Sequence, residues 1–221
     1  YIGSMTLSYA EEFRRFWPDN LFAVDFFDNT SGIIAGYSGS VLTTTDGGKN
    51  WEFHYIGSNE LIRRVDYIDK NNVWAVGHQG SIYYSNNGGK NWRIKKKITG
   101  VYLRDIEFVD ANNGWVVGHN ANIWHTKDGG ESWEQQELLN FNGRDLPRLH
   151  GIHAINLDQL ILVGEFGVIA HTENGGKDWY VSPHNIETTW LSIDGTDDVV
   201  YVVGLDGNVA TLKIVNEAER K

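Results

Sequence analysis

Four near-copies of one octet constrain this chain more than any other feature: TTDGGKNW (Thr44–Trp51), SNNGGKNW (Ser85–Trp92), TKDGGESW (Thr126–Trp133) and TENGGKDW (Thr172–Trp179). Their tryptophans fall at 51, 92, 133 and 179, at intervals of 41, 41 and 46 residues. A period of this length marks a repeat architecture in which each unit buries one face against the next. The residue types explain the local turn. A Thr or Ser hydroxyl and an Asp or Asn two residues later bond the amides of their own turn, Gly-Gly supplies backbone angles closed to other residues, and the tryptophan covers the result. Nothing in that account needs a ligand, and four outward-lying copies cannot all be one active site.

Aligned on the octets, the chain shows five upstream segments: Leu21–Asp28, Ile62–Asp69, Leu103–Asp110, Leu149–Asn156 and Trp190–Asp197. Each begins as an alternating strand and turns at Asp or Asn. A short strand follows that is apolar on both faces (GIIAG, VWAVG, WVVG, LILVG, VYVVG), as in a sheet sandwiched between neighbours. A second Gly three residues on, or Ala121 in the third repeat, makes a hairpin turn into a third strand; the octet then leads into a fourth. Four antiparallel strands per repeat of about 41 residues predict an all-β, five-bladed β-propeller. The repeats run over about 21–58, 59–99, 100–139, 147–186 and 187–216 of a single domain spanning 5–221. Gly3-Ser4 ahead of Met5 reads as a cloning junction, so residues 1–4 are set aside. The fifth repeat lacks an octet and a fourth strand. The N-terminal segment within residues 5–17 is expected to supply that strand and close the ring, the alternative being a short helix over Tyr9–Trp17. Asn140–Pro147 is an insertion, read as the longest loop.

The formal charge of −10 and pI near 5.2 argue against nonspecific nucleic-acid binding or adhesion to anionic membranes, both of which need a positive field. With no cysteine there is no disulfide, thiol nucleophile or Cys-ligated zinc, and the redox compartment stays open. No stretch approaches the roughly 20 apolar residues of a spanning helix, so membrane insertion is not expected. Eight histidines show no recurring metal spacing and no phosphate loop is present, so neither metal nor cofactor is expected.

Two sets of residues stand out once the register is fixed. The fifth position of each inner strand reads Asp25, Asp66, Glu107, His153 and Asp194, a mostly acidic column that a propeller turns toward its channel. Like charges there need compensation, by a cation, a basic partner residue, or bonds to the neighbouring blade. Nearer the channel mouth lie Arg63, Arg64, Arg104, Arg148, His150 and Trp190, with His78, His119 and Glu165 on the glycine turns. A polar-aromatic rim of this kind suits protein or peptide recognition. Arg93, Lys95, Lys96 and Lys97 on an outer strand form a patch for acidic partners or protect a sheet edge.

The octets are similar to Asp boxes (BNR repeats), and the unit LRDIEFVDANNGWVVGHNANIWHTKDGGESW resembles the repeat of Ycf48-like photosystem II assembly factors, over roughly Leu21–Ile214. That resemblance implies a propeller without catalytic activity that holds a membrane-protein precursor on a basic patch, in an extracytoplasmic compartment. Family members have seven blades, against five repeats here. The expected function is therefore a noncatalytic protein-binding or assembly module whose mouth loops contact a protein or peptide. The alternative is a carbohydrate-binding or glycoside-hydrolysing propeller. Phe13-Arg14-Arg15-Phe16 faintly resembles the Phe-Arg-Ile-Pro start of sialidases, but it lacks the Ile and Pro, and no catalytic residues are assigned.

Overall fold

The computed structural model describes residues 20–143, 145–184, 186–196 and 198–214. These form five sheets, antiparallel but for one parallel pair in the fourth. The first contains β1 (Leu21–Phe26), β2 (Gly32–Gly36), β3 (Ser40–Thr44) and β4 (Glu52–Tyr55). The second contains β5 (Ile62–Tyr67), β6 (Val73–Gly77), β7 (Ser81–Ser85) and β8 (Arg93–Lys97). The third contains β9 (Leu103–Phe108), β10 (Gly114–Gly118), β11 (Ile123–Thr126) and β12 (Glu134–Gln136). The fourth gains a strand: β13 (Leu138–Leu139), from the start of the long connection, pairs in parallel with β17 (Trp179–Val181) outside β14 (Leu149–Ala154), β15 (Leu160–Gly164) and β16 (Ile169–Thr172). The fifth has only β18 (Trp190–Gly195), β19 (Val199–Gly204) and β20 (Val209–Lys213). Among the described residues the strand count per blade is therefore four, four, four, five and three; the fifth strand of the fourth blade is an addition to the four expected there. Residues 5–17, expected to complete the fifth blade, lie outside the described residues.

Each octet folds as its residue types dictate. Thr44 Oγ1 donates to Asp46 Oδ1 at 2.9 Å and accepts from the Gly48 amide at 2.9 Å, while Asp46 Oδ1 accepts from the Asn50 amide at 2.9 Å. The Ser85, Thr126 and Thr172 octets repeat this pattern. The first glycine then donates its amide to the inner hairpin turn of the same blade, as Gly129 does to Asn112 O at 3.0 Å. The second glycine faces the preceding blade. Gly130, at φ +77°, lies against the Trp74 indole, and Gly89, at φ +87°, against Ile33.

Inner strands β1, β5, β9, β14 and β18 are neighbours in that order, and face-to-face packing of successive sheets makes the core. Ile33, Ala35 and Val41 of the first blade cluster with Ile62, Val65, Val73 and Ala75 of the second. Three further clusters repeat the arrangement along the chain. Between the second and third blades Trp74 stacks on Phe108 (centroids 4.4 Å, 11°) with Trp133 edge-on at 6.3 Å. No comparable packing joins β18 to β1, so the described residues form an open succession of blades.

The second octet glycine is thus a packing position as well as a turn position. Gly130→Ala is expected to cost about 2–4 kcal/mol, combining left-handed backbone strain with overpacking against Trp74. Gly207→Ala, at φ +73° with nothing near the added methyl, should cost about 1 kcal/mol. Urea midpoints of the two variants check the difference.

Candidate functional site

Most members of the acidic column grip the next blade. Asp25 Oδ2 accepts from the Tyr67 amide at 2.8 Å, Asp66 Oδ2 from the Phe108 amide at 3.0 Å, and Glu107 Oε1 from the Ala154 amide at 3.3 Å. The same two-residue relation recurs in each case: a carboxylate at the fifth position reaches the sixth residue of the following inner strand. His153 breaks the run and sets Nδ1 3.8 Å from Glu107 Oε1. Asp194, in the last blade, bonds the adjacent Gly195 amide at 2.8 Å.

Two residues change the reading of the column. Asp105, two positions before Glu107, is buried and accepts from the Ile106 and Ile152 amides, both at 3.0 Å. Arg64, expected at the mouth, instead turns its Nε to Asp105 Oδ1 at 3.0 Å. Asp105 foremost, then Glu107, Asp66 and Asp25, raise the Arg64 pKa against the opposing effect of burial. Burial is the largest influence raising Asp105, and it lifts Glu107 to about 8, with Asp105 adding to it. Burial and then Glu107 push Asp66 up as well. Arg64 is therefore the internal counter-ion of the column. Nothing in the sequence marks Asp105, which has no acidic counterpart in the other repeats, where Ala23, Arg64, Gly151 and Ser192 take its place.

The mouth is built by one repeated bond. The residue after the second-strand glycine donates its amide to the carbonyl just ahead of its own blade's inner strand: Tyr37 to Asn20 at 3.0 Å, His78 to Leu61 at 2.8 Å, His119 to Tyr102 at 2.9 Å and Glu165 to Arg148 at 3.0 Å. These turns place His78, His119 and Glu165 beside Arg63, Arg104, Arg148 and His150. His78 stacks on Tyr102 (centroids 4.3 Å, 25°), and Tyr102 meets His119 edge-on at 5.0 Å. Arg104 Nε–H donates to His119 Nε2 at 3.0 Å, which fixes that imidazole as the neutral Nδ1–H tautomer. Burial, followed by the positive charges of Arg104 and Arg148, lowers His119 to about 4. His150 is likewise lowered to about 4 by burial and Arg104, and its buried Nε2 has no hydrogen-bond partner.

Arg148 pairs with Glu165 at 3.4 Å, whereas Arg63 lies over the Phe22 ring at 5.7 Å and Arg104 faces only the imidazole. Two guanidinium groups with no carboxylate paired to them among the described residues, flanked by half-exposed Tyr37, Tyr102 and Phe166, make a cationic, aromatic surface on a chain of net charge −10. Trp190 does not contribute to it: the ring is fully buried and donates Nε1–H to Gly167 O at 3.2 Å. Tyr102, which sequence reasoning passed over, is central because stacking joins it to two of the histidines. The outer basic strand is largely occupied at home, Lys95 pairing with Glu131 of the next blade and Arg93 lying over Tyr84 at 5.2 Å. Among the described residues no cluster of three His, Asp or Glu is arranged to hold a metal, and no helix is long and apolar enough to cross a membrane.

The model of the photosynthesis system II assembly factor YCF48 family matches residues 17–93 and 98–187, more than half of the chain. The chain belongs to the YCF48 family. No curated protein matches it. Among solved structures, YCF48 bound to a D1 peptide shares 15% identity over 90% of this chain and 94% of its own, at a TM-score of 0.49. U3-55K superposes better, with a TM-score of 0.72 at 12% identity over 91% of this chain and 64% of its own. An ancestral GH74 enzyme gives 0.66 at 14% identity over 88% and 31%. Identities this low speak to the blade fold alone.

Because native Glu107 holds its proton up to about pH 8, where an unfolded glutamate loses it near 4.5, this residue makes stability fall as pH rises through that window. His119 and His150, lowered in the fold, act in the opposite direction, but only between about pH 4 and their usual 6.5. Between pH 6.5 and 8, the urea midpoint of the unmodified protein should therefore decline, and Glu107→Gln should flatten that decline.

Proposed function

We propose that this protein is a noncatalytic peptide-binding module that serves in protein assembly, holding an acidic or carboxylate-bearing segment of its partner at the channel mouth. The observation that carries this reading is the pair of guanidinium groups on Arg63 and Arg104, which face aromatic rings and imidazoles with no carboxylate paired to them among the described residues. Guanidinium groups take carboxylates in two-pronged fashion, and aromatic surface beside them gives a peptide apolar anchorage at low entropic cost. Family membership supports the partner class: YCF48 has been solved with a D1 peptide bound. The neutral histidines fit the same role, since at pH 7 they offer stacking surface and hydrogen bonds without adding charge.

The glycosidase alternative has one observation in its favour, the raised pKa of Glu107 beside Asp105, which resembles a general acid next to a second carboxylate. The Glu107 carboxyl is engaged by the Ala154 amide, and Asp105 by two amides and Arg64, so both groups already have structural work.

Titration of a fluorescent acidic peptide by anisotropy tests the proposal. Arg63→Glu with Arg104→Glu is expected to weaken binding at least about 30-fold, equivalent to roughly 2 kcal/mol, and added salt to weaken the unmodified protein in the same direction. Arg93→Glu on the outer strand should leave affinity within about twofold, so equal losses from both variants would point to nonspecific charge attraction. Glycoside turnover abolished by Glu107→Gln would favour the enzyme instead.

A further inference from the structure

We propose that a cavity between the third and fourth blades, on the octet side and apart from the mouth, binds a small monocarboxylate through the ring N–H groups of Trp115 and His125. The cavity measures about 270 Å³ and is lined by these two rings, by Lys127, Leu157 and Asp158, and by the fourth octet around Lys177. None of the mouth arginines or histidines borders it.

Trp115 is wholly buried and His125 is 4% exposed; they occupy paired positions of β10 and β11 and stack at 4.0 Å and 10°. Neither Trp115 Nε1 nor His125 Nε2 has a hydrogen-bond partner among the described residues. Trp74, the counterpart of Trp115 in the second blade, also leaves Nε1 without a partner. There, however, Phe108 lies flat on the indole, Trp133 meets it edge-on and Gly130 lies against it. Ala154 takes the place of Phe108 in the fourth blade, and Trp115 borders the cavity instead.

Neighbouring bonds place the proton of His125. Trp179 Nε1–H can only donate, and it donates to Gln136 Oε1 at 2.9 Å. The Gln136 nitrogen is therefore the donor to Gly175 O at 3.1 Å and to His125 Nδ1 at 3.4 Å. Burial, followed by Lys127, lowers the His125 pKa to about 4, so near neutral pH the ring is uncharged, with Nδ1 accepting and the proton on Nε2. Two buried N–H donors on the cavity wall thus lack an acceptor among the described residues. Buried donors left in this way cost stability, and an acceptor entering the cavity recovers it.

The charges around the cavity select the kind of acceptor. Lys90 and Glu131, the counterparts of Lys177 in the second and third octets, pair with Glu52 and Lys95 of the preceding blade. Lys177 has no such pairing among the described residues; Glu134, which stands in the third blade where Glu52 stands in the first, pairs with Lys127 at 3.7 Å. With Lys127 held by Glu134 and Asp158 nearby, a singly charged carboxylate suits this wall better than a phosphate dianion. Its oxygens accept from the two ring N–H groups, and Leu157 and the indole offer apolar surface to the rest of the molecule.

The indole N–H of Trp115 reports on the site directly. Its signal in a nitrogen–proton correlation spectrum is assigned by its loss in Trp115→Phe. Sodium propionate is titrated at constant ionic strength against sodium chloride, with sodium phosphate in a parallel series. The proposal predicts a saturable shift of the Trp115 signal with propionate and none with chloride, phosphate binding at least about tenfold more weakly. His125→Phe, which keeps a ring in the stack but removes Nε2–H, should weaken propionate at least about tenfold. Lys177→Gln, on the surface, should weaken it about threefold. The other indole signals show whether each variant is folded. The proposal is overturned if the Trp115 signal does not move, which would leave water as the acceptor, if phosphate binds as tightly as propionate, or if folded His125→Phe binds propionate unchanged. Should His125→Phe fail to fold, an unchanged affinity in Lys177→Gln overturns it instead.

Discussion

Packing of one sheet's second strand against the next sheet's inner strand is the interaction on which everything else here depends. No blade has enough buried surface to stand alone, because its second strand is apolar on both faces and needs a neighbour on each side. The octet glycine belongs to the same arrangement, since its missing side chain leaves the space into which the preceding blade's Trp74 or Ile33 projects. The carboxylate that bonds the following blade's amide adds direction to this contact. Apolar faces alone would tolerate sliding, whereas Asp25 to Tyr67, Asp66 to Phe108 and Glu107 to Ala154 hold each inner strand to one register.

Much of this was legible in the sequence because repetition exposes what single residues hide. The strands, the turn chemistry of the octet, the doubly buried second strands and the alignment of the acidic column all follow from five copies read in parallel. What escaped was whatever occurs once. Asp105 and Arg64 share a column whose other members are Ala, Gly and Ser, so nothing marked them as a pair, and Arg64 was placed at the mouth on spacing alone. Trp190 was assigned to the surface by chain position, yet its size makes it the first-position core residue of its blade. The strand at Leu138–Leu139 was invisible because two residues give no period, and its parallel pairing with Trp179–Tyr180 is set by the fold around it.

The division of labour between the ends of the blades follows from charge as much as from shape. On the octet side the acids are spent on turns: Asp46 and Asp128 are held down to about 2 by bonds, led by those from the Asn50 and Ser132 side chains. Along the inner strands, the carboxylates are balanced by Arg64 and by amides. At the mouth, Arg63 lies over the Phe22 ring and Arg104 bonds the His119 imidazole, with no ion pair to a carboxylate among the described residues. The recognition surface proposed for this member of the YCF48 family is thus basic, where the loops of successive blades meet.

Hydrogen–deuterium exchange with and without a saturating acidic peptide bears most directly on that claim. The account predicts slower exchange on binding at the turns carrying His78, His119 and Glu165 and at the segments leading into Arg63, Arg104 and Arg148, with the octet turns unchanged. Protection confined to the octet turns or to the outer strand Arg93–Lys97, with the mouth unaffected, would contradict it.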